Sequence, residues 1–175
     1  MKDLGVPTTS FKATDMIVVS APIRFKGSLK RQRRLVEITE VKKEWTDDPG
    51  KENGFLNWMS FDANKDNMEL FKDDVKKSEW IAKVMRNRGI SYEDIWHEIV
   101  TRAASKQYLV EVKNKHKIPK ILEAENSIRA HSKLMMLAEK QRDEFGKVDH
   151  KQLLSDWQEW VDNVLAKEAI GLNTL

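Results

Sequence analysis

A run of four consecutive apolar residues near the start of the chain, Met16–Val19, constrains the fold more than any other feature. A strand with one wet face alternates apolar and polar residues, whereas a strand covered on both faces is apolar at every position. The run therefore predicts a strand buried on both faces. Only a short segment precedes it, so part of its cover is expected from the helical half of the chain or from outside this polypeptide.

Three further strands are predicted after this run. Arg33–Trp45 is rich in β-branched residues, and a turn signal of Asp, Pro and Gly comes after it. Phe55–Phe61 and Met68–Phe71 then form two shorter apolar stretches on either side of the Asx-rich segment Asp62–Asn67. Together with the first strand, they predict an antiparallel meander of about four strands.

The character of the sequence changes near Asp73–Asp74, beyond which apolar residues recur at helical spacing. Gly89 and Gly146 are predicted to end helices, and Pro119 suits the first turn of another. The polar segment Lys113–Lys117 is predicted to connect two helices. The expected fold is α+β, with a β-rich segment over residues 1–74 and a helical segment over residues 75–175.

Composition excludes several kinds of site. The 175 residues include no cysteine, which removes disulfides, thiolate nucleophiles and cysteine-bound metals. Lysine and arginine number 31 against 28 acidic residues, so only local clusters of charge can indicate a partner. No apolar run reaches the roughly 18 residues of a spanning helix, and the start of the chain lacks a signal-peptide pattern. A cytoplasmic location is therefore predicted.

No catalytic, cofactor or metal site is predicted from motifs. The seven glycines include no phosphate-binding loop. His97 and Glu98 begin like a zinc-protease helix, but Thr101 stands where the second histidine is required. Asp62–Asp73 has the oxygen ligands of a calcium loop at its first positions, but it lacks the glycine and the terminal glutamate. A hairpin turn is the favoured interpretation of that segment.

The segment between the first two strands is strongly basic and contains no acidic residue between Met16 and Val36. A hairpin tip of this kind can lie on the phosphates of nucleic acid, lipid or nucleotide. The alternative is a solvated turn whose arginines pair with acids on neighbouring strands. The candidate contact surface consists of Arg24, Lys26, Lys30, Arg31, Arg33 and Arg34.

The last predicted helix is amphipathic and carries two of the six tryptophans on its apolar side. Large aromatic residues at helical spacing indicate either core packing or a groove for a partner helix. The candidate partner-helix face consists of Leu153, Trp157, Trp160 and Val164.

Four blocks, taken in order and spacing, resemble a known family. They are Asp15–Val19, Arg33–Val41, Asn57–Met68 and Arg86–Asp94. The series is similar to the C-terminal region of the archaeal type II/type IV secretion ATPases, a family that includes the motors of type IV pili and the archaellum. The chain has Ser20 where that family usually has glutamine.

The resemblance implies a function without implying a catalytic site. The family's Walker A, acidic, Walker B and histidine boxes all lie upstream of the matching region, so ATP and magnesium are implied for the full-length enzyme alone. The resemblance also implies a hexamer, a membrane platform protein as partner and a place at the cytoplasmic face of the membrane. The chain is expected to be a non-catalytic C-terminal domain or fragment that supports these contacts and is inactive alone.

Two alternatives belong to other functional classes. One is a free-standing nucleic-acid-binding or adaptor protein that uses the basic hairpin Arg24–Arg34. The other is a helical interaction module that presents Trp157 and Trp160 to a partner.

Overall fold

We analysed a computed structural model of the chain, which describes residue 5, residues 7–24 and residues 29–171. The chain forms two compact units, Met1–Tyr92 and Glu93–Leu175. Strands dominate the first unit and helices make up the second, which confirms the predicted α+β fold. The change from strand to helix occurs at Lys72, whereas the boundary between the units lies at Tyr92.

The sheet of the first unit is an antiparallel meander in the order β1-β2-β3-β4, as predicted. Its strands are β1 Met16–Ile23, β2 Gln32–Val41, β3 Phe55–Asp62 and β4 Asn67–Leu70. The helices of this unit are α1 Thr8–Lys12, α2 Lys72–Val75 and α3 Glu79–Arg88. β2 ends before the predicted Trp45, because that residue turns into the core and its indole N–H donates to the carbonyl of Lys42 at 2.7 Å.

The loop between β2 and β3 folds around one carboxylate and one glycine. The Glu52 carboxylate accepts hydrogen bonds from a set of backbone N–H groups, those of Thr46, Asp47 and Asp48. These bonds lower the pKa of Glu52 from 4.5 to about 2. Gly54 is buried, and a Cβ there would lie 2.6 Å from Pro49 Cβ and 2.7 Å from Trp45 Cδ1. Only glycine therefore fits this position without a shift of the loop.

Glu40 is a buried carboxylate that joins the sheet to α3. Its Oε1 accepts the backbone N–H of Trp80 at 2.8 Å, and its Oε2 accepts the indole N–H of Trp58 at 3.0 Å. Trp58 is the extra residue of a bulge in β3, which is how its side chain is redirected. A buried carboxylate is costly unless it is hydrogen-bonded, and the first turn of a helix also favours negative charge. Glu40 therefore holds β2, β3 and α3 together.

Both ends of α3 agree with sequence signals. The Ser78 hydroxyl accepts the backbone N–H of Ile81 at 2.9 Å at the start of the helix. Gly89 adopts the left-handed conformation, with φ of 64°, at the end. The prediction that Gly89 ends this helix is confirmed, because a left-handed residue is easiest to build from glycine.

The second unit packs its helices around one core. Its elements are α4 Tyr92–His116, a 3-10 helix Pro119–Leu122, α5 Ala124–Phe145, α6 His150–Trp160, a π-helical turn Val161–Leu165 and α7 Ala166–Ile170. Trp157 is 1% exposed, and its indole N–H donates to the carbonyl of Ala130 at 2.7 Å. That bond satisfies the buried donor and attaches α6 to α5.

The predicted connection Lys113–Lys117 is largely wrong. α4 continues through His116, and the chain turns at Lys117, which has a φ of 56°. Basic residues in the last turn of a helix interact favourably with its negative end. The polar composition of this segment therefore suits a helix terminus as well as it suits a loop.

Candidate functional site

β1 forms one edge of the sheet and pairs only with β2 among the described elements. The backbone N–H of Val41 donates to the carbonyl of Asp15 at 2.9 Å, which fixes the pattern of hydrogen-bonded pairs along β1. Since such pairs alternate in an antiparallel ladder, the N–H and C=O groups of Met16 and Val18 point away from β2. These groups form the open edge of the sheet.

The prediction that Met16–Val19 is buried on both faces is wrong for this chain. Val18 is 60% exposed and Val19 is 37% exposed. Successive residues of a strand point to opposite faces, so apolar surface is accessible on both sides of the edge. Pro22 is the sequence feature that indicates an edge strand here, because proline within a strand is found mainly at sheet edges.

The edge is protected along only half of its length. Between Val19 and Ser20 the register with β2 shifts, and Val36 is the extra residue of this bulge. Pro22 comes next along the edge, and it has no N–H to offer. Bulges and prolines discourage the addition of another strand, whereas Met16–Val19 has neither and carries no charge. We define the free edge as Met16–Val19.

The predicted basic surface lies at the other end of the same hairpin. Its residues differ in whether they pair within the fold. Arg34 forms a two-point ion pair with Asp66, with distances of 2.7 and 2.9 Å, so it serves the fold. This bond raises the pKa of Arg34. Arg24, Arg31 and Arg33 are exposed and have no ion-pair partner within the described parts of the chain. Lys30 is exposed but does have a contact, and Lys26 lies outside the described residues.

The predicted partner-helix face is mostly core. Leu153 and Trp157 are 2% and 1% exposed, so they are not available to a partner on the surface of this chain. Trp160 and Val164 are half-buried, with the Lys133 ammonium 5.9 Å from the centre of the Trp160 ring. Core packing, the alternative interpretation of these tryptophans, accounts for Leu153 and Trp157.

The core stripe of the last helix follows different residues from the predicted face. A regular α-helix places positions 160 and 161 on either side of the line through Trp157, and the predicted face uses the first of them. In the structure the core stripe continues through Val161 and Leu165, both 0% exposed. The π-helical turn Val161–Leu165 lengthens the period, so Leu165 stays on the same side as Val161.

The helical unit contains one pair of neighbouring histidines among its described residues. The rings of His97 and His150 lie 5.6 Å apart, and Thr101 Oγ1 is 2.9 Å from His150 Nδ1. Burial, and secondarily the charge of His97, lowers the pKa of His150. No group of three metal-ligating side chains is present in residues 7–24 and 29–171.

The segment between β3 and β4 is a hairpin turn, which was the interpretation favoured over a calcium loop. Asp62 Oδ1 accepts the backbone N–H of Asn64 at 2.8 Å, which is an Asx turn. Asp66 adopts a positive φ of 50° in the same turn. The acidic residues of this segment are therefore used to build the hairpin.

Comparison with known families and curated proteins gives no match. No protein-family model matches the chain, and no curated protein matches its sequence significantly. Within the described ranges, no helix is both long and apolar enough to cross a membrane.

Proposed function

We propose that this chain is the C-terminal region of a type II/type IV secretion ATPase, a non-catalytic part that supports contacts within the motor. The observation that carries the proposal is the free edge Met16–Val19, which is apolar, uncharged and 60% exposed at Val18. Its sequence is that of a covered strand, and an apolar edge left open is an aggregation hazard. A strand from the catalytic part of the motor would provide the missing cover.

The order of the resembling blocks in the sheet supports the same proposal. Asp15–Val19 and Arg33–Val41 are neighbours through β1 and β2, and Asn57–Met68 forms the next hairpin. In this proposal the blocks form one continuous sheet at the end of a motor domain. ATP and magnesium bind to the catalytic part, which assembles as a hexamer at the cytoplasmic face of the membrane. The helices of this chain contact a neighbouring subunit or a membrane platform protein.

Enzyme assays test the catalytic half of the proposal. The 175-residue chain is expected to hydrolyse no ATP, and the genomic sequence upstream of Met1 is expected to encode Walker A and Walker B motifs. Turnover by the chain alone that is abolished by chelation of magnesium would overturn the assignment. So would an upstream region without those motifs.

A binding experiment tests the role of the free edge. The purified polypeptide with the Walker motifs is expected to bind this chain, and Val18→Lys is expected to weaken binding at least about tenfold, because a charge blocks strand addition. Val100→Lys is the matched control, since Val100 is 47% exposed on a helix. Equal losses for the two variants would refute strand addition at β1.

Nucleic-acid binding is the second candidate function. It is favoured by three exposed arginines at the hairpin that have no ion-pair partner among the described residues. Each phosphate contact contributes about 0.9 to the slope of log K against log salt. Replacing Arg24, Arg31 and Arg33 by alanine is therefore expected to reduce that slope by roughly 2 to 3 if duplex DNA binds there. An unchanged slope, or no binding at low salt, would exclude this function. Arg34 is left intact because it pairs with Asp66.

A further inference from the structure

The first unit contains a cleft of about 180 Å³ between α3 and the ends of β1 and β2. Its walls include both acidic and basic side chains and one tryptophan. Six of the lining residues are Asp15, Lys43, Glu79, Trp80, Lys83 and Arg86. These residues differ in whether they form hydrogen bonds or ion pairs within the fold.

Lys43 contacts two of the acidic residues, Asp15 and Glu79. The Lys43 ammonium lies 3.0 Å from the Asp15 carboxylate and donates to the carbonyls of Lys12 and Thr14, each at 2.7 Å. The Glu79 carboxylate accepts the backbone N–H of Lys43 at 3.1 Å. Lys43 therefore has little capacity left for a ligand. The third acid of the cleft, Glu40, accepts the N–H groups of Trp58 and Trp80.

Lys83 and Arg86, in contrast to Lys43, make no such contacts with the described residues. Both are exposed, both line the cleft, and neither has a hydrogen-bond or ion-pair partner in the described part of the chain. They lie three residues apart on α3, so their side chains emerge on neighbouring turns, and like charges at this spacing repel each other. An anion bound between them would relieve that repulsion and accept hydrogen bonds from both.

Trp80 adds an apolar surface next to these two cations. Its side chain is 38% exposed and lines the same cleft. The ring packs edge to face against Trp58, with centroids 6.4 Å apart, and the backbone N–H of Trp80 is held by Glu40. The position of the ring is therefore fixed before any ligand arrives, which reduces the entropic cost of binding.

We propose that this cleft binds a small aromatic anion, with a phosphate or carboxylate head on Lys83 and Arg86 and an aromatic body against Trp80. An arginine guanidinium can hold either head through two parallel hydrogen bonds, and a lysine adds a point charge. Among the described residues, none of the acids of the cleft pairs with Lys83 or Arg86, so both cations can donate to a ligand. This site is independent of the free edge and of the proposed motor function.

Titration of the whole chain with phenyl phosphate, benzoate and inorganic phosphate tests the proposal. The indole N–H signal of Trp80 is expected to shift in nuclear magnetic resonance spectra on addition of one or both aromatic anions, which identifies the preferred head. Inorganic phosphate, which lacks the aromatic body, is expected to bind at least about tenfold more weakly. No binding of either aromatic anion up to roughly 10 mM would overturn the proposal.

A charge-matched pair of double variants provides the control. Lys83→Gln with Arg86→Gln is expected to raise the Kd of the preferred probe at least about tenfold. Lys76→Gln with Lys106→Gln removes the same charge from exposed positions outside the cleft and is expected to leave the Kd unchanged. All four side chains are exposed, so both proteins are expected to fold. Equal weakening in the two proteins would show that only net charge matters and would refute the site.

Discussion

The two units of this protein expose apolar residues in different ways. In the helical unit, Phe145 is 70% exposed and Met136 is 63% exposed, but both lie on α5, where the helix satisfies the backbone. In the sheet unit, Val18 is 60% exposed on an edge whose outward N–H and C=O groups pair with no other described strand. Scattered apolar residues on a surface are ordinary. The combination at β1 is what the proposed addition of a strand would use.

The largest loss of stability is expected in the buried core of the helical unit. Trp157→Ala removes a buried ring and its indole hydrogen bond to the carbonyl of Ala130, so the free energy of unfolding is expected to fall by about 3 to 5 kcal/mol. Urea unfolding followed by circular dichroism at 222 nm measures the loss. Phe145→Ala is the control and is expected to stay within about 0.5 kcal/mol. A loss below about 1 kcal/mol for Trp157→Ala would contradict its place in the core.

The corresponding test in the sheet unit targets Glu40. Glu40→Gln keeps the shape, but its amide group must face the N–H of Trp58 or of Trp80, so one buried donor loses its acceptor. The expected loss in the free energy of unfolding is about 2 to 3 kcal/mol, measured by urea unfolding. Glu44→Gln, at an exposed position on the same segment, is expected to change little. Equal stability of the two variants would show that Glu40 does not hold α3 to the sheet.

Acid is expected to affect the helical unit at a higher pH than the sheet unit. Burial and His97 lower the pKa of His150 below 6.5, so the unfolded chain binds this proton more readily than the folded chain. The contribution of His150 to stability is therefore complete above pH 6.5 and is lost as pH falls through the folded pKa. Thermal unfolding between pH 8 and pH 5 is expected to show this loss. His150→Gln is expected to make the unfolding temperature depend less on pH over this range. An unchanged pH dependence in that variant would contradict the assignment.

The acid response of the sheet unit is expected only at lower pH. The pKa of Glu52 is lowered from 4.5 to about 2 by backbone N–H groups, so its contribution is present above pH 4.5 and is lost as pH falls toward 2. The amide signals of Thr46, Asp47 and Asp48 are expected to follow this titration in nuclear magnetic resonance spectra. Glu52→Gln would remove it. A transition of these amides near pH 6.5 would mean that the two units respond together.

The smallest effect on stability is expected at the free edge. Val18→Lys replaces a residue that is already 60% exposed, so the free energy of unfolding is expected to change by less than about 0.5 kcal/mol. Urea unfolding of the purified chain measures this. A loss above about 1 kcal/mol would mean that Val18 is needed for the sheet itself, and the difference between the two units would disappear.

The sequence predicted local structure better than it predicted exposure. Hairpins and helix ends depend on nearby residues, such as Gly89 and Gly146, which both adopt positive φ at helix ends. Whether β1 is covered depends on what lies beside it, and an apolar run looks the same in either case. Pro22 carried the one local signal of an edge.

The misplaced helix face and the cleft show two further limits. The π-helical turn at Val161–Leu165 changes the helical period, and no residue in that segment signals the change. Lys83 and Arg86 look like ordinary surface cations in the sequence, because their place beside the Asp15–Lys43 ion pair and their lack of partners among the described residues depend on the fold. Long-range pairing of this kind is decided by the fold.

The ion pair between Arg34 and Asp66 has a consequence for how the chain avoids misfolding. It joins β2 to the turn after β3, across 32 positions of sequence. A slip of one residue between these strands would turn Arg34 to the opposite face of the sheet and separate the two charges. Incorrect alignments of the meander would thus lose a charged contact that the native alignment retains. Arg34, which was predicted to belong to a contact surface, therefore favours the native alignment of the strands.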